Sequence, residues 1–288
     1  MARRLSMTAE RILLLGGTGF LGRRVLTGLL VRKPEAEVRV LVHSSRLSAG
    51  YEGLAVAHDD LQAVVAFEPT HVVNLAAGWS SQGASPGAEV RANLELPVRI
   101  LAALLDTPFA HGGTWLQGGS YFQLSSQSTN YIESKRTMTG ILRTWSDMAG
   151  FSQSTLILPH LTGPGEDARR FLPSLISTLA QGEVFEMTEG LQQVPLLHVE
   201  DAAEAVVRCV AAPSAPQLIG VTPVWYGDLR TLALDIAAAM GAQDLLRVGA
   251  RPTPADTVVE VVDFPPPIEG WSPKIPYAEI IQQARETS

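Results

Sequence analysis

Glycines at 16, 19 and 22 follow the continuous apolar run Ile12-Leu13-Leu14-Leu15 and lead into a segment where Leu21, Val25, Leu29 and Leu30 recur at helical spacing. An apolar run stopped by glycine reads as a strand buried on both faces of a parallel sheet. Glycines at this spacing let the chain reverse, let backbone approach an anion, and let the helix pack closely on the strand. A helix start also offers unpaired N–H groups and the positive end of its dipole. Strand, turn and helix in this order predict a site for the pyrophosphate of a dinucleotide, with Gly16, Thr18, Gly19, Phe20, Leu21 and Gly22 as cofactor-binding residues.

The rest of the first half repeats the alternation. Strands are predicted at 38–42, 54–57, 71–75, 114–116 and 155–158, separated by helical patterns at 21–33, 60–67, from 88 with a bend at Pro97, and 131–145. The expected fold is α/β, a Rossmann-type doubly wound parallel sheet with a smaller C-terminal substrate-binding domain. Residues 9–165, rejoined by 194–212, form the dinucleotide-binding domain in this reading, and 166–193 with 213–288 form the smaller one. Residues 78–87 read as a loop, helices are expected at 171–182, from about 200, at 229–240 and from about 277, and an extended alternation runs over 258–263.

A formal charge of -7, with no local basic stripe, argues against nucleic acid as a partner. No apolar run has the length of a membrane span, and the Arg3-Arg4 leader precedes no signal-peptide core, so a cytoplasmic, reducing setting is the default. Cys209, the single cysteine, stands among valines and reads as a buried small hydrophobe. The six histidines are scattered without metal-ligand spacing, and no metal is expected.

The second predicted strand ends in Val42-His43-Ser44-Ser45-Arg46, with no acid from Val38 to Tyr51 to bond ribose hydroxyls. Ser44, Ser45 and Arg46 suit a ribose 2′-phosphate instead, so NADP(H) is expected in preference to NAD(H). Tyr131 and Lys135 lie four residues apart, on one face if the segment is helical. A phenol needs a nearby cation to act as acid or base near neutrality.

These motifs, with Asn74-Leu75-Ala76-Ala77, Asn93, Gly163-Pro164-Gly165, His198-Val199-Glu200-Asp201, Arg251-Pro252 and Gly270-Trp271-Ser272-Pro273-Lys274, resemble the extended short-chain dehydrogenase/reductase family. That group contains nucleotide-sugar epimerases, dehydratases and ketoreductases. The resemblance implies that Tyr131 is the catalytic acid or base and that Lys135 binds the nicotinamide ribose and lowers the tyrosine pKa. It implies that Leu75, Ala76, Ala77 and Asn93 line or support the cofactor cleft, and that His160, Arg170 and Arg251 meet the substrate. Where the family carries a carbonyl-polarising hydroxyl this chain has Gly118, and Ser120, two residues on, is assigned that role.

The stretch Gly119-Ser120-Tyr121-Phe122-Gln123 is similar to one in nucleotide-deoxysugar ketoreductases. The expected activity is NADPH-dependent reduction of a keto group on a nucleotide-linked deoxyhexose. The alternatives are a nucleotide-sugar epimerase or dehydratase, or a catalytically impaired scaffold or sensor that keeps the fold. A homodimer is expected from the resemblance alone.

Overall fold

The computed structural model describes residues 9–43, 46–79, 86–211, 217–254, 257, 260 and 262–286. The leader, Ser44, Ser45, residues 80–85 of the expected loop, and Val258, Val259 and Val261 of the expected alternation lie outside the described residues.

The first half runs β1 (Arg11–Leu15), α1 (Gly22–Arg32), β2 (Glu37–Val42), β3 (Ala55–Ala57), α2 (Leu61–Phe67), β4 (His71–Asn74), α3 (Pro86–Val90), α4 (Leu96–Leu104), β5 (Thr114–Gly118), α5 (Asn130–Ala149) and β6 (Ser152–Ile157). The second half runs β7 (His160–Thr162), α6 (Phe171–Ala180), β8 (Phe185–Glu186), β9 (Gln193–His198), α7 (Val199–Val210), β10 (Leu218–Gly220), β11 (Trp225–Asp228), α8 (Leu229–Ala239), β12 (Leu246–Arg247) and α9 (Tyr277–Glu286).

Among the described residues, seven strands form one parallel sheet in the order β10-β6-β5-β4-β1-β2-β3. The chain builds outward from β1 to one edge through β2 and β3, then returns to β4 and builds to the other edge. The order reverses between β1 and β4, and a crevice opens at the carboxyl ends of strands at such a point. Leu15 lies opposite both Leu41 and Asn74, and Asn74 lies opposite Gln117, so the loops leaving β1, β2, β4 and β5 converge there.

The unbroken apolar run of β1 has a direct physical reason. Ile12 and Leu14 face one layer, with Val25 and Leu29 of α1 and the buried face of α7. Leu13 and Leu15 face the other layer, with Ile100, Leu101 and Leu104 of α4 and Met138 and Leu142 of α5. A strand covered on both sides has no polar face to show. Cys209 is buried in the first layer, and burial pushes its thiol up to about 11.

A further cluster joins α6, β9, α8 and α9 through Leu175, Leu196, Leu232, Ile236 and Ile280. It forms the additional C-terminal helical and sheet region, with a three-stranded sheet in the order β11-β9-β7 and a small β12-β8 pair. The bend expected at Pro97 takes a definite form. Residues 91–95 wind as a π-turn and Pro97 sits in the first turn of α4, where a missing N–H costs little. No helix among the described residues is long and apolar enough to cross a membrane. No group of three or more His, Cys, Asp or Glu among them is placed to hold a metal ion.

Candidate active site

The glycine turn is shaped by close backbone approaches. Gly16 has φ +78°, and a Cβ there would stand 2.6 Å from the Ala76 nitrogen and 2.7 Å from the Leu75 carbonyl carbon. Only glycine lets the turn lie against the Leu75-Ala76-Ala77 segment. A Cβ on Gly22 would stand 2.0 Å from the Gly16 oxygen, so this glycine is required for contact, not for its dihedral. Gly19 N donates to Gly16 O at 3.0 Å and closes the turn. Leu21 precedes the first turn of α1, and no side chain caps it, which leaves the helix start to an anion. Phe20 lies under the guanidinium of Arg24, 5.0 Å from its ring centre.

Buried Asn74 donates to Gln117 Oε1 at 2.9 Å and accepts from Ala76 N at 3.1 Å, tying β4 to β5 and holding the loop against the turn. Asn93 bonds both sides of one peptide unit pair: it accepts from Gly78 N and donates to Gly78 O, each at 2.9 Å. Its side chain is thereby committed to positioning the loop after β4. Asn74 and Gln117 were not among the expected site residues; two amides at paired strand ends were the available signal.

Tyr131 and Lys135 lie on the first turns of α5, whose start is capped by Thr129 accepting from Ile132 N. Ser120 begins a short turn closed by a reciprocal cap, in which Gln123 Oε1 accepts from Ser120 N at 3.0 Å. Burial pushes the Tyr131 phenol up, while a hydrogen bond with Ser120 and then the charge of Arg170 pull it back; Glu89 opposes them. The serine that follows Gly118 and Gly119 therefore faces the tyrosine.

Lys135 is buried, lies 5.9 Å from the Tyr131 ring centre, and donates to Gly118 O at 3.1 Å. The Arg170 charge favours the ionised Tyr131 phenol, and Lys135 donates to the strand end with its Nζ beside the same ring. Burial brings Lys135 down from 10.5 to about 8. Between these two values the unfolded chain holds more protons than the folded one, so stability gains from this residue as pH rises through the window. Denaturant titrations should show the unfolding free energy of the wild type, minus that of Lys135→Met, increasing from pH 8 to 10.5. A flat or falling difference would contradict the burial of a charged amine.

His160 opens β7 with Nε2 3.8 Å from Glu166 Oε1, and Arg170 Nε lies 3.4 Å from the same oxygen. Burial, then Arg170, holds His160 down at about 3, so it is a neutral imidazole at physiological pH. The Glu166 carboxyl, 2% exposed, is pushed up by burial. His160, Glu166, Arg170 and Tyr131 thus form one electrostatic group. Arg251 stands apart from it among the described residues: it is exposed, with Glu186 at 3.9 Å.

Beside the turn, on the α1 and α7 side, a cavity of about 640 Å³ is lined by Gly17, Thr18, Arg23, Arg24, Arg46 and Tyr51, among others. Arg46 is exposed at this cavity, and Ser44 and Ser45 lie outside the described residues.

The NAD dependent epimerase/dehydratase family matches residues 12–219 of this chain. The chain belongs to that family. It is an NAD(P)-binding oxidoreductase of the extended type, and the glycine turn, the uncapped helix start and the crevice at the strand reversal fit a dinucleotide. CDP-abequose synthase of Yersinia pseudotuberculosis is 24% identical over 213 residues, 70% of this chain and 74% of that protein.

Among solved structures, UDP-glucose 4-epimerase from Thermus thermophilus in complex with NAD has TM-score 0.77 at 19% identity, covering 96% of this chain and 98% of that one. The dTDP-glucose 4,6-dehydratase DesIV from Streptomyces venezuelae, with NAD bound, has TM-score 0.77 at 16% identity, covering 96% of each. These likenesses establish the fold over nearly the whole chain. They also overturn the NADP(H) expectation, since the similar structures hold NAD. The physical reason is that an exposed guanidinium attracts any cofactor phosphate and does not by itself select a 2′-phosphate.

Proposed function

We propose that this protein exchanges hydride between NAD and a ring carbon of a nucleotide-linked sugar, in a 4-epimerase-type cycle. The observation that carries the reading is the Tyr131 phenol held with Ser120 at the carboxyl end of β5, in the crevice where the glycine turn also opens. Bound NAD supplies the hydride acceptor and donor.

Tyr131 takes the proton of a sugar hydroxyl as that carbon loses hydride, and returns it to the carbonyl oxygen when hydride comes back on the opposite face. Ser120 hydrogen-bonds the same oxygen, where charge changes during both steps. Lys135 holds the Gly118 carbonyl and meets the nicotinamide ribose. Neutral His160 and the Arg170 guanidinium bind the substrate's polar groups, and Arg251 contributes to its diphosphate. Glycines at 118 and 119 put no acid at the strand end, which disfavours elimination of water.

A second reading is net reduction of a keto group. The Gly119-Ser120-Tyr121-Phe122-Gln123 stretch and the likeness to CDP-abequose synthase favour it. Incubation with UDP-, dTDP- and CDP-linked hexoses and their 4-keto derivatives, with NAD or NADH, separates the two. Epimerised product without net NADH consumption is expected. Consumption of NADH equal to product selects reduction, and no change to any of these sugars contradicts both.

A further inference from the structure

Trp79 is 61% exposed, yet its ring meets Tyr131 edge-on at 4.5 Å and Phe122 at 5.4 Å between centroids. Phe122 in turn stacks on Tyr121 at 4.1 Å. Other exposed apolar side chains, such as Val31 and Met148, stand on the outer faces of helices, as scattered surface residues commonly do. An indole left open beside a half-buried tyrosine is a different matter, because its hydration cost is borne at the mouth of the catalytic crevice.

The position of this ring is imposed by its neighbours. Asn93 clamps both polar groups of Gly78, the preceding residue. A Cβ on Gly78 would lie 3.0 Å from Ala92 Cβ and 3.3 Å from Ala88 O, so the backbone is pressed onto α3 and the π-turn after it. The loop therefore enters Trp79 from a fixed point, and the indole is carried to Tyr131.

We infer that Trp79 is a platform for the sugar ring of the substrate, with the C–H face of a pyranose stacked on the exposed indole face and the reacting hydroxyl turned to Tyr131. The inference rests on the nucleotide-sugar reading above and adds the residue that recognises the hexose itself. The aromatic face is electron-rich and the C–H bonds of a sugar carry partial positive charge, so a stacked ring gains electrostatic attraction as well as area. The nucleotide diphosphate needs no part of this platform.

Calorimetric titration of the full chain with UDP-glucose, dTDP-glucose and CDP-glucose, and with UDP, dTDP, CDP and NAD, tests it. Trp79→Ala is expected to weaken the sugar nucleotides about tenfold and to leave the free diphosphates and NAD unchanged. Trp79→Phe, which keeps an aromatic face, is expected to stay within about threefold of the wild type. Equal weakening of sugar nucleotides and diphosphates, or weakening of NAD instead, would overturn the platform.

The two readings fail differently. Trp79-dependent binding without turnover removes the proposed reaction and leaves the platform. Turnover with an unaltered Trp79→Ala affinity removes the platform alone, and a wild type that binds no sugar nucleotide removes both.

Discussion

Replacing Tyr131 with phenylalanine is expected to lower turnover by about 10³-fold, while NAD affinity and thermal stability stay near wild type. The substitution deletes one oxygen and keeps the ring, so the edge-on contact with Trp79 and the packing of α5 persist. What is lost is the group that carries the proton, together with the hydrogen bond that joins it to Ser120. Burial and the Glu89 charge drive this phenol away from ionisation, and Ser120 and the Arg170 charge pull it back. Steady-state rates with the sugar nucleotide that the wild type converts, alongside NAD binding, check the expectation. Turnover within a few-fold of wild type would place the proton transfer elsewhere.

The second large effect is expected at Gly22. An added Cβ would meet the Gly16 oxygen at 2.0 Å, the Gly16 carbonyl carbon at 2.7 Å and the Gly17 Cα at 2.8 Å, all backbone atoms with no rotamer to yield. The turn must open, and the distances that shape the phosphate site change with it. Gly22→Ala should weaken NAD about 100-fold, and should lower the unfolding free energy by about 1–3 kcal/mol through overpacking between β1 and α1. Gly140→Ala in α5 is the matched control. Nothing lies within 4 Å of a Cβ there, so it should stabilise by about 0.5–1 kcal/mol and leave NAD binding alone. Equal NAD affinity in the two variants would separate the cofactor from this turn.

Much of the architecture was legible because its causes are local. The β1 run, the glycine turn and the α1 stripe are each set by neighbours within a few residues, and their order alone identifies a parallel sheet. Helix α5 was likewise readable from its apolar spacing, which brought Tyr131 and Lys135 to its first turns. Strands β7 and β10 were not readable. Each has three residues and no turn chemistry of its own, and each exists because a partner strand, β9 or β6, offers an edge.

The site shows the same division. Tyr131 and Ser120 are expected from motif positions and Arg170 as a substrate-binding cation, and the structure places all three in one electrostatic group. The direction of Lys135 toward the Gly118 carbonyl depends on a strand end 17 residues away and could not be read from a four-residue spacing. Glu166 and Trp79 carry no motif at all. Glu166 takes its environment from β7 and from Arg170 just before α6, and Trp79 takes its own from α5 and Phe122. The cofactor expectation failed because a basic residue after the second strand can meet more than one cofactor phosphate, and the similar structures hold NAD.

The most direct test follows an isotope. UDP-, dTDP- and CDP-linked hexoses carrying deuterium at C4 are mixed with enzyme and NAD, quenched within a turnover, and the nicotinamide is analysed by mass spectrometry. Deuterium on the reduced cofactor in the wild type, absent with Tyr131→Phe, is the expected result. Product that forms while the cofactor never acquires the label would contradict hydride exchange at the sugar carbon.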